Sequence, residues 1–323
     1  MILDLTFVGL GLGILLLAGD ALVKGAVNVS LRLGIPAVLV GLTVVAFGTS
    51  APELIVAIQA VLRDAPGLAM GNVVGSNIAN ILLVLGLPAL IAAVPVSRED
   101  TLSGFTMMIA ASVLFIVLAT LGPFRWPHAA ILLAGLALML GDSLRRAHNH
   151  RNGQRAAPGA EAEALESADP QMSWLKITLF LVLGIIGLPL GADLLVDGSV
   201  AIAERLGVSD ALIGLTIVAI GTSLPELATT VMAAIRREAG VVMGNIIGSN
   251  IFNLLGIIGI AGLIGPIPVP PEMLRFDMPV MLASSLLLAP FVLRGRAIGR
   301  SWGIALIACY LIYLALLTMG VGA

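Results

Sequence analysis

Long apolar segments follow one another along almost the whole chain, and short polar segments separate them. An apolar segment of about 20 residues is long enough to cross the roughly 30 Å hydrocarbon core of a bilayer as a helix. The short alternating strands of a membrane barrel are not visible in the sequence. We therefore predict an all-α polytopic membrane protein with ten transmembrane helices, at about residues 4–27, 37–62, 68–93, 103–121, 127–144, 173–203, 210–235, 241–264, 274–293 and 300–320.

A polar stretch interrupts this pattern between the fifth and the sixth predicted span. It covers residues 145–172, is basic at first and then rich in Ala and Glu, and has no apolar periodicity. We interpret it as a linker between two five-helix halves, residues 1–144 and 173–323. The N-terminus lacks the basic region and the cleavage site of a signal peptide, so we expect the first helix to be retained.

One segment of the first half occurs again in the second half. Residues 41–91 and 214–264 are identical at 26 of 51 aligned positions, with a constant offset of 173 residues. Because each half holds an odd number of predicted spans, the second copy is inverted in the membrane relative to the first. Inverted repeats are a recurrent construction of secondary transporters, whose substrate site lies near the midplane where the copies meet.

Composition and charge narrow the class of protein further. Hydrophobic residues make up 59% of the chain and charged residues 11%, whereas soluble domains have about 25% charged residues. The net charge of −2 gives no sign of a nucleic-acid partner. The single cysteine excludes an intramolecular disulfide framework. All of these observations agree with an integral membrane protein.

The basic residues predict an orientation in the membrane. If the N-terminus is outside, 13 of the 17 basic residues fall on the inner side and four on the outer side. Positive residues accumulate in cytoplasmic loops. We therefore expect both termini outside and the linker in the cytoplasm.

One glutamate lies in the middle of the second predicted span and another in the middle of the seventh. These residues are Glu53 and Glu226. A charged side chain at such depth costs about 3 kcal/mol on insertion scales, and residues of this kind are usually functional. Because no Lys or Arg lies in the middle of a predicted span, we interpret both glutamates as ligands of a cation or of protons.

Further oxygen atoms accompany each glutamate in the same order. Thr, Ser and Pro precede it, and we expect the proline to release backbone carbonyls one turn earlier from the helix. Ser and Asn follow on the next span, four residues apart and thus on one helical face. Such oxygens are the ligands of hard cations like Ca²⁺ and Na⁺. The predicted ligands are Glu53, Glu226, Thr49, Ser50, Thr222, Ser223, Ser76, Ser249, Asn80, Asn253 and the carbonyls of Ala46 and Ala219.

Other polar and small residues of the spans are assigned structural roles. Asp20 and Asp193 are equivalent in the two repeats, and Lys24 is spaced for an i,i+4 ion pair with Asp20. The repeated glycines are expected to allow close helix packing; they are Gly71, Gly75, Gly244 and Gly248.

The doubled motif resembles a known family. GTSAPE is followed by GNVVGSNIAN, and GTSLPE by GNIIGSNIFN, in oppositely oriented halves. This pattern is similar to the two α-repeats of the cation/calcium exchanger superfamily, most of all its bacterial and archaeal sodium/calcium exchanger branch. The resemblance implies a ten-helix antiporter of a prokaryotic inner or plasma membrane, in which long first and sixth helices slide across the ion-binding spans. It also implies that Glu53 and Glu226 are the principal Ca²⁺ ligands, while the predicted hydroxyls and carbonyls serve Ca²⁺ and Na⁺.

The chain departs from the family pattern at one position. Thr-Ser before each glutamate, in place of the Asn and Ala of the proton-coupled branch, favours sodium as the counter-ion. Asn253, however, stands where sodium/calcium exchangers have Asp. Two carboxylates match one Ca²⁺, two Na⁺ or two H⁺, and a third Na⁺ has no local counter-charge. We therefore expect exchange nearer to electroneutral than three to one, unless Asp20 or Asp193 supplies a third carboxylate.

Three functions are left open by these patterns. They are Ca²⁺ antiport driven by Na⁺, cation/H⁺ exchange on the same scaffold, and a non-coupled cation channel; the inverted repeat favours alternating access over the channel. A hydrolase is not supported, because no His or Lys accompanies the serines as a base, so we expect no enzyme activity. We expect no cofactor, and as partners only the transported inorganic cations and the lipid bilayer around a monomer.

Overall fold

The protein is helical throughout the residues that the structure, a computed structural model, describes: 2–154, 169–206 and 219–319. Within them, the only β-structure consists of two isolated bridges between loops. In chain order, the helices are α1 (Ile2–Leu33), α2 (Ala37–Thr49), α3 (Ala51–Leu62), α4 (Pro66–Ile91), α5 (Arg98–Thr120), α6 (Trp126–Gln154), α7 (Trp174–Arg205), α8 (Ala219–Gly221), α9 (Leu224–Ile235), α10 (Ala239–Ile264), α11 (Pro271–Arg294) and α12 (Arg300–Thr318).

The described part of the chain contains eight or nine of the ten predicted membrane spans. Eight helices are long and apolar enough to cross a bilayer, and α2 with α3 makes a ninth if the 44° bend between them lies within one broken span. The predicted seventh span, residues 210–235, lies partly outside the described residues and includes α8 and α9. The polytopic helical membrane fold is confirmed, and the count of ten helices stays a prediction.

Helix α6 is longer than the sequence pattern indicates. We predicted its end near residue 144, but it continues to Gln154, ten residues into the segment interpreted as a linker. Three Arg and one Ala in this stretch favour helix formation, and Asp142 and Arg146 form an i,i+4 ion pair at 2.5 Å. Residues 155–168 lie outside the described part, so the division of the chain into two halves and a linker stays a prediction.

Helices α1 and α7 are equivalent in the two repeats and pack along each other. Glycines make this close approach possible: a Cβ on Gly11 or Gly184 would lie only 2.5 Å from atoms of the facing helix. An ion pair between Asp4 and Arg205, at 2.7 Å, joins the two helices near one end. Each has 32 residues and is thus about 48 Å long, which exceeds the roughly 30 Å hydrocarbon core and favours a tilted crossing.

Helices α4 and α10 are the most buried of the candidate spans. Gly244 and Gly248 bring α10 against α2, because a Cβ on either would lie 2.4 Å from a backbone carbonyl oxygen of α2. The predicted packing role is therefore confirmed for these two glycines. The equivalent Gly71 and Gly75 of α4 have no described atom of another segment within 4 Å of such a Cβ, so their role stays a prediction.

The loop bridges report the relative orientation of the two repeats. Val94, after the third helix of the first copy, pairs with Ile298, and the equivalent Ile267 of the second copy pairs with Phe124. Each loop that follows a third span therefore meets the loop that follows the fourth span of the other copy. Loops after consecutive spans lie on opposite sides of a membrane, so this pairing is the one expected of inverted copies.

Candidate cation site

Both predicted site glutamates lie immediately after a break in a helix. The breaks are at Ser50 (φ −86°, ψ 7°) and at Ser223 (φ −88°, ψ 5°), and a proline occupies one of the first two positions of the helix that follows. Glu53 and Glu226 consequently lie in the first turns of α3 and α9. The first N–H groups of a helix have no partner within the helix, and together with the helix dipole they favour a negative charge at the N-terminus. The same local sequence thus produces the same local geometry twice.

The two breaks meet across the repeats. The Ser50 hydroxyl donates to Oε1 of Glu226 at 3.0 Å, and the hydroxyls of Thr49 and Ser249 are 3.4 Å apart. Both carboxylates are buried. Residues from α2, α3, α9 and α10 therefore converge on one buried region. All predicted ligands for which side-chain burial is described are buried except Thr222, which is partly buried.

Asparagine amides join α4 to α10 in a second symmetric set of contacts. Nδ2 of Asn80 donates to Oδ1 of Asn250 at 3.1 Å, and Nδ2 of Asn253 donates to Oδ1 of Asn77 at 3.1 Å. Asn80 begins a π-helical stretch of α4, and Asn253 lies in a π-helical stretch of α10. Such stretches widen a helix and are frequent at functional sites. The side-chain amides of the predicted ligands Asn80 and Asn253 thus each donate a hydrogen bond to an asparagine of the other repeat.

Two more asparagines hold the threonines of the breaks. Thr49 donates to Oδ1 of Asn245 at 3.1 Å, and the equivalent Thr222 donates to Oδ1 of Asn72 at 3.2 Å. The sequence interpretation missed four asparagines that line this region. A signal was available, because each is identical in both copies of the motif; they are Asn72, Asn77, Asn245 and Asn250.

Several buried oxygens of the predicted ligands accept no hydrogen bond from the described residues. Buried polar atoms normally have a partner, and an exception calls for an explanation such as a bound ion. Every unpartnered side-chain atom among the predicted ligands is an oxygen. Ca²⁺ takes six to eight oxygens, so this chemistry fits a hard cation. The atoms are both Oε of Glu53, Oε2 of Glu226, Oγ of Ser76 and Ser223, and Oδ1 of Asn80 and Asn253.

The backbone carbonyl of Ala46 differs from the expectation. The Ala46 carbonyl is not released from the helix, because it accepts a hydrogen bond from Ser50 N at 3.0 Å. Pro52 has no N–H, so the carbonyl that loses its regular donor is that of residue 48, not 46. In the second copy, Ser223 N donates to Ile220 at 3.0 Å. The role of the Ala219 carbonyl therefore stays a prediction.

The two aspartates considered as a third carboxylate do not belong to the site. Asp20 forms ion pairs with Lys24, at 2.9 Å, and with Arg236. The predicted i,i+4 pair is therefore confirmed. Asp193 is exposed on α7. Across the described residues, no group of three or more His, Cys, Asp or Glu is arranged to hold a metal ion. The site therefore has two carboxylates, Glu53 and Glu226.

Comparison with known proteins places this geometry in a family. The model of the sodium/calcium exchanger protein family matches residues 4–141 and 176–319, which together cover both halves. The chain belongs to the sodium/calcium exchanger family. Among its relatives in this family, the putative antiporter CaxA of Alkalimonas amylolytica is 37% identical over 98% of this chain and 99% of its own length. The sodium/calcium exchanger MaX1 of Methanosarcina acetivorans is 34% identical over 95% and 96%.

Solved structures of the family show the same fold. A structure of the sodium-calcium exchanger NCX_Mj, soaked without Na⁺ and Ca²⁺, superposes with a TM-score of 0.79 at 34% identity, covering 98% of this chain and 99% of the other. The predicted family resemblance is thus confirmed. The protein is a multi-pass membrane protein and a cation antiporter, and it belongs to a family of exchangers.

Proposed function

We propose that the protein exchanges Ca²⁺ for Na⁺ by alternating access at the site between the two inverted repeats. One observation carries this proposal: Glu53 and Glu226, one from each repeat, are buried together beside hydroxyl and amide oxygens that have no donor among the described residues. Two negative charges balance one Ca²⁺ or two Na⁺. Ions that compete for the same oxygens are coupled, because the empty and doubly negative site is costly to move through a low-dielectric interior.

Protons are the second candidate counter-ion. No Lys, Arg or His of the described residues forms an ion pair with either glutamate. Two buried like charges without a basic partner can be neutralised by protons as well as by metal ions. Radiolabelled Ca²⁺ uptake into proteoliposomes, with Na⁺ and H⁺ gradients imposed separately, distinguishes the two. Uptake driven by the Na⁺ gradient at equal pH supports the proposal; uptake driven only by the pH gradient supports proton exchange and contradicts it.

Neutralising either site glutamate tests the role of the carboxylates. We expect Glu53→Gln and Glu226→Gln each to lower Ca²⁺ uptake at least about tenfold, because a buried divalent ion loses one of two balancing charges. The matched control is Asp277→Asn, since Asp277 is another buried carboxylate and accepts a hydrogen bond from Tyr313 at 2.8 Å that an amide oxygen can also accept. Full uptake by either glutamate variant would contradict the proposed site.

The proposed orientation has both termini outside and the linker in the cytoplasm, as the basic residues indicate. We also propose that a single chain forms the site, because both repeats that line it belong to one chain. Under this orientation, Asp20 and Arg236 lie toward the cytoplasm, and Arg63 and Asp193 toward the outside.

A further inference from the structure

One ion pair connects α1 to the end of α9. The residues for an equivalent pair are present in the other half of the sequence, but in the structure they do not pair with each other. Asp20 of α1 pairs with Arg236, the residue that follows the end of α9. Each of these residues has an equivalent 173 positions away in the other half of the chain. The equivalent of Asp20 is Asp193 of α7, and the equivalent of Arg236 is Arg63, which follows the end of α3. Both are exposed, and neither forms an ion pair within the described ranges 2–154, 169–206 and 219–319.

The local charges differ at the two positions. Asp20 is followed by Lys24, which pairs with it at 2.9 Å. Asp193 is followed at the same spacing by Asp197, which is also exposed. Like charges four residues apart repel each other on a helix. Asp193 therefore gains more than Asp20 from an approaching cationic side chain, and the repeat relation makes Arg63 its partner.

Helix packing shows the same asymmetry. α1 covers α9 so closely that a Cβ on Gly19 would lie 3.0 Å from the carbonyl oxygen of Ala228. Ala228 is 8% exposed, whereas its equivalent on α3, Ile55, is 56% exposed. The described residues of α7 and α3 are barely in contact. The face of α9 that carries Ala228 is therefore covered by α1, whereas the equivalent face of α3, which carries Ile55, is exposed.

We propose that Asp20–Arg236 and Asp193–Arg63 are alternating latches of the transport cycle. In the state described, α1 rests on α9 and the first latch is closed. Exchanging the conformations of two inverted copies produces the opposite access state. In that state α7 covers α3, Asp193 binds Arg63, and Asp20 releases Arg236. This inference rests on the proposed antiport, since an antiporter needs both access states.

Thiol labelling of the two equivalent helix faces tests the latches without measuring transport. The background is Cys309→Ala, which removes the only cysteine. The reporters are Gln59→Cys on the bare face of α3 and, at the equivalent position on α9, Met232→Cys, where the native side chain lies against Gly19. In detergent, we expect Gln59→Cys to react with a maleimide faster than Met232→Cys.

Opening the first latch should shift the two rates in opposite directions. We expect Asp20→Asn to slow labelling of Gln59→Cys and to speed labelling of Met232→Cys, so that the ratio of the two rates changes by about fivefold, because loss of the latch ion pair shifts the ratio of the two states by about that factor. The matched control Asp193→Asn, whose pair is open in this state, should leave both rates at the parent values. The exchange of charges in Asp20→Arg with Arg236→Asp should move the ratio of the two rates back toward the parent value, because it restores the pair between α1 and α9 while the pair with Lys24 stays lost.

Two results would overturn the latches: unchanged rates in Asp20→Asn, or faster labelling of both reporters, which indicates helix separation without closure at the other end. Ca²⁺ uptake by the parent protein is measured separately. If the reporters respond as expected while no gradient drives uptake, the proposed function fails and the latches stand.

Discussion

At the scale of single residues, the charge of the site depends on position 253. The amide of Asn253 donates to Oδ1 of Asn77, while Asn77 donates to the carbonyl of Asn250 at 3.3 Å. The direction of these hydrogen bonds leaves the Asn253 oxygen without a described donor. An aspartate at 253 would present an acceptor to Oδ1 of Asn77. The amide is therefore part of a network that suits a neutral residue.

Introducing the family's carboxylate should make stability depend on ions. We expect Asn253→Asp to cost about 1–3 kcal/mol of folding free energy without cations, because one hydrogen bond becomes a repulsive contact. Added Ca²⁺ or Na⁺ should restore more stability in this variant than in the parent, since ligands stabilise the state that binds them. Thermal unfolding in detergent with and without ions measures both effects.

The control for this experiment is Asn253→Leu, which removes the amide and adds no charge. It should lower the unfolding temperature without a larger response to ions. An equal ion response in the aspartate variant and the parent would show that residue 253 does not face the ions.

At the scale of elements, close backbone contact decides how α10 meets α2. Gly244 and Gly248 have backbone carbonyl oxygens 2.4 Å from where a Cβ would be. This distance is too short for real atoms, so a larger residue forces the helices apart. Because α10 carries Ser249 and Asn253 and α2 carries Thr49, a shift of this interface also displaces ligands.

A single methyl group in this interface should therefore be costly. We expect Gly248→Ala to lower the free energy of unfolding by about 1–3 kcal/mol through overpacking. Gly13→Ala on α1 is the matched control, because Gly13 is exposed and a Cβ there meets nothing within 4 Å. The control should be neutral or slightly stabilising, as alanine favours helices over glycine. Thermal unfolding of both variants checks this, and equal unfolding temperatures would contradict the close packing.

At the scale of the whole molecule, two site carboxylates predict how transport responds to voltage. Exchange of one Ca²⁺ for two Na⁺ moves no net charge, whereas three Na⁺ per Ca²⁺ move one charge, worth about 2.3 kcal/mol per 100 mV. We therefore expect Ca²⁺ flux in proteoliposomes to change little when a potassium gradient and valinomycin impose a potential. A steep dependence of flux on potential would reject the two-carboxylate count.

Hydropathy and the doubled motif are sufficient to predict the membrane fold, the inverted relation and the candidate residues. Hydrophobic length and repeated polar identities are properties of the sequence alone, so Glu53 and Glu226 are recognisable without a structure. The helical extension of α6 is not predicted, because its stability comes from helix propensity and an ion pair in a segment without apolar periodicity.

Tertiary structure alone decides the contacts between the repeats. A sequence with equivalent residues in both copies cannot show that Ser50 binds Glu226 or that Asn253 donates to Asn77, because these hydrogen bonds join residues about 176 positions apart. Nor can it show that Asp20 forms ion pairs while Asp193 forms none with the residues that the structure describes. Two copies that share their polar site residues specify a symmetric set of possible contacts, and the structure forms an asymmetric subset of them, in which α1 packs on α9.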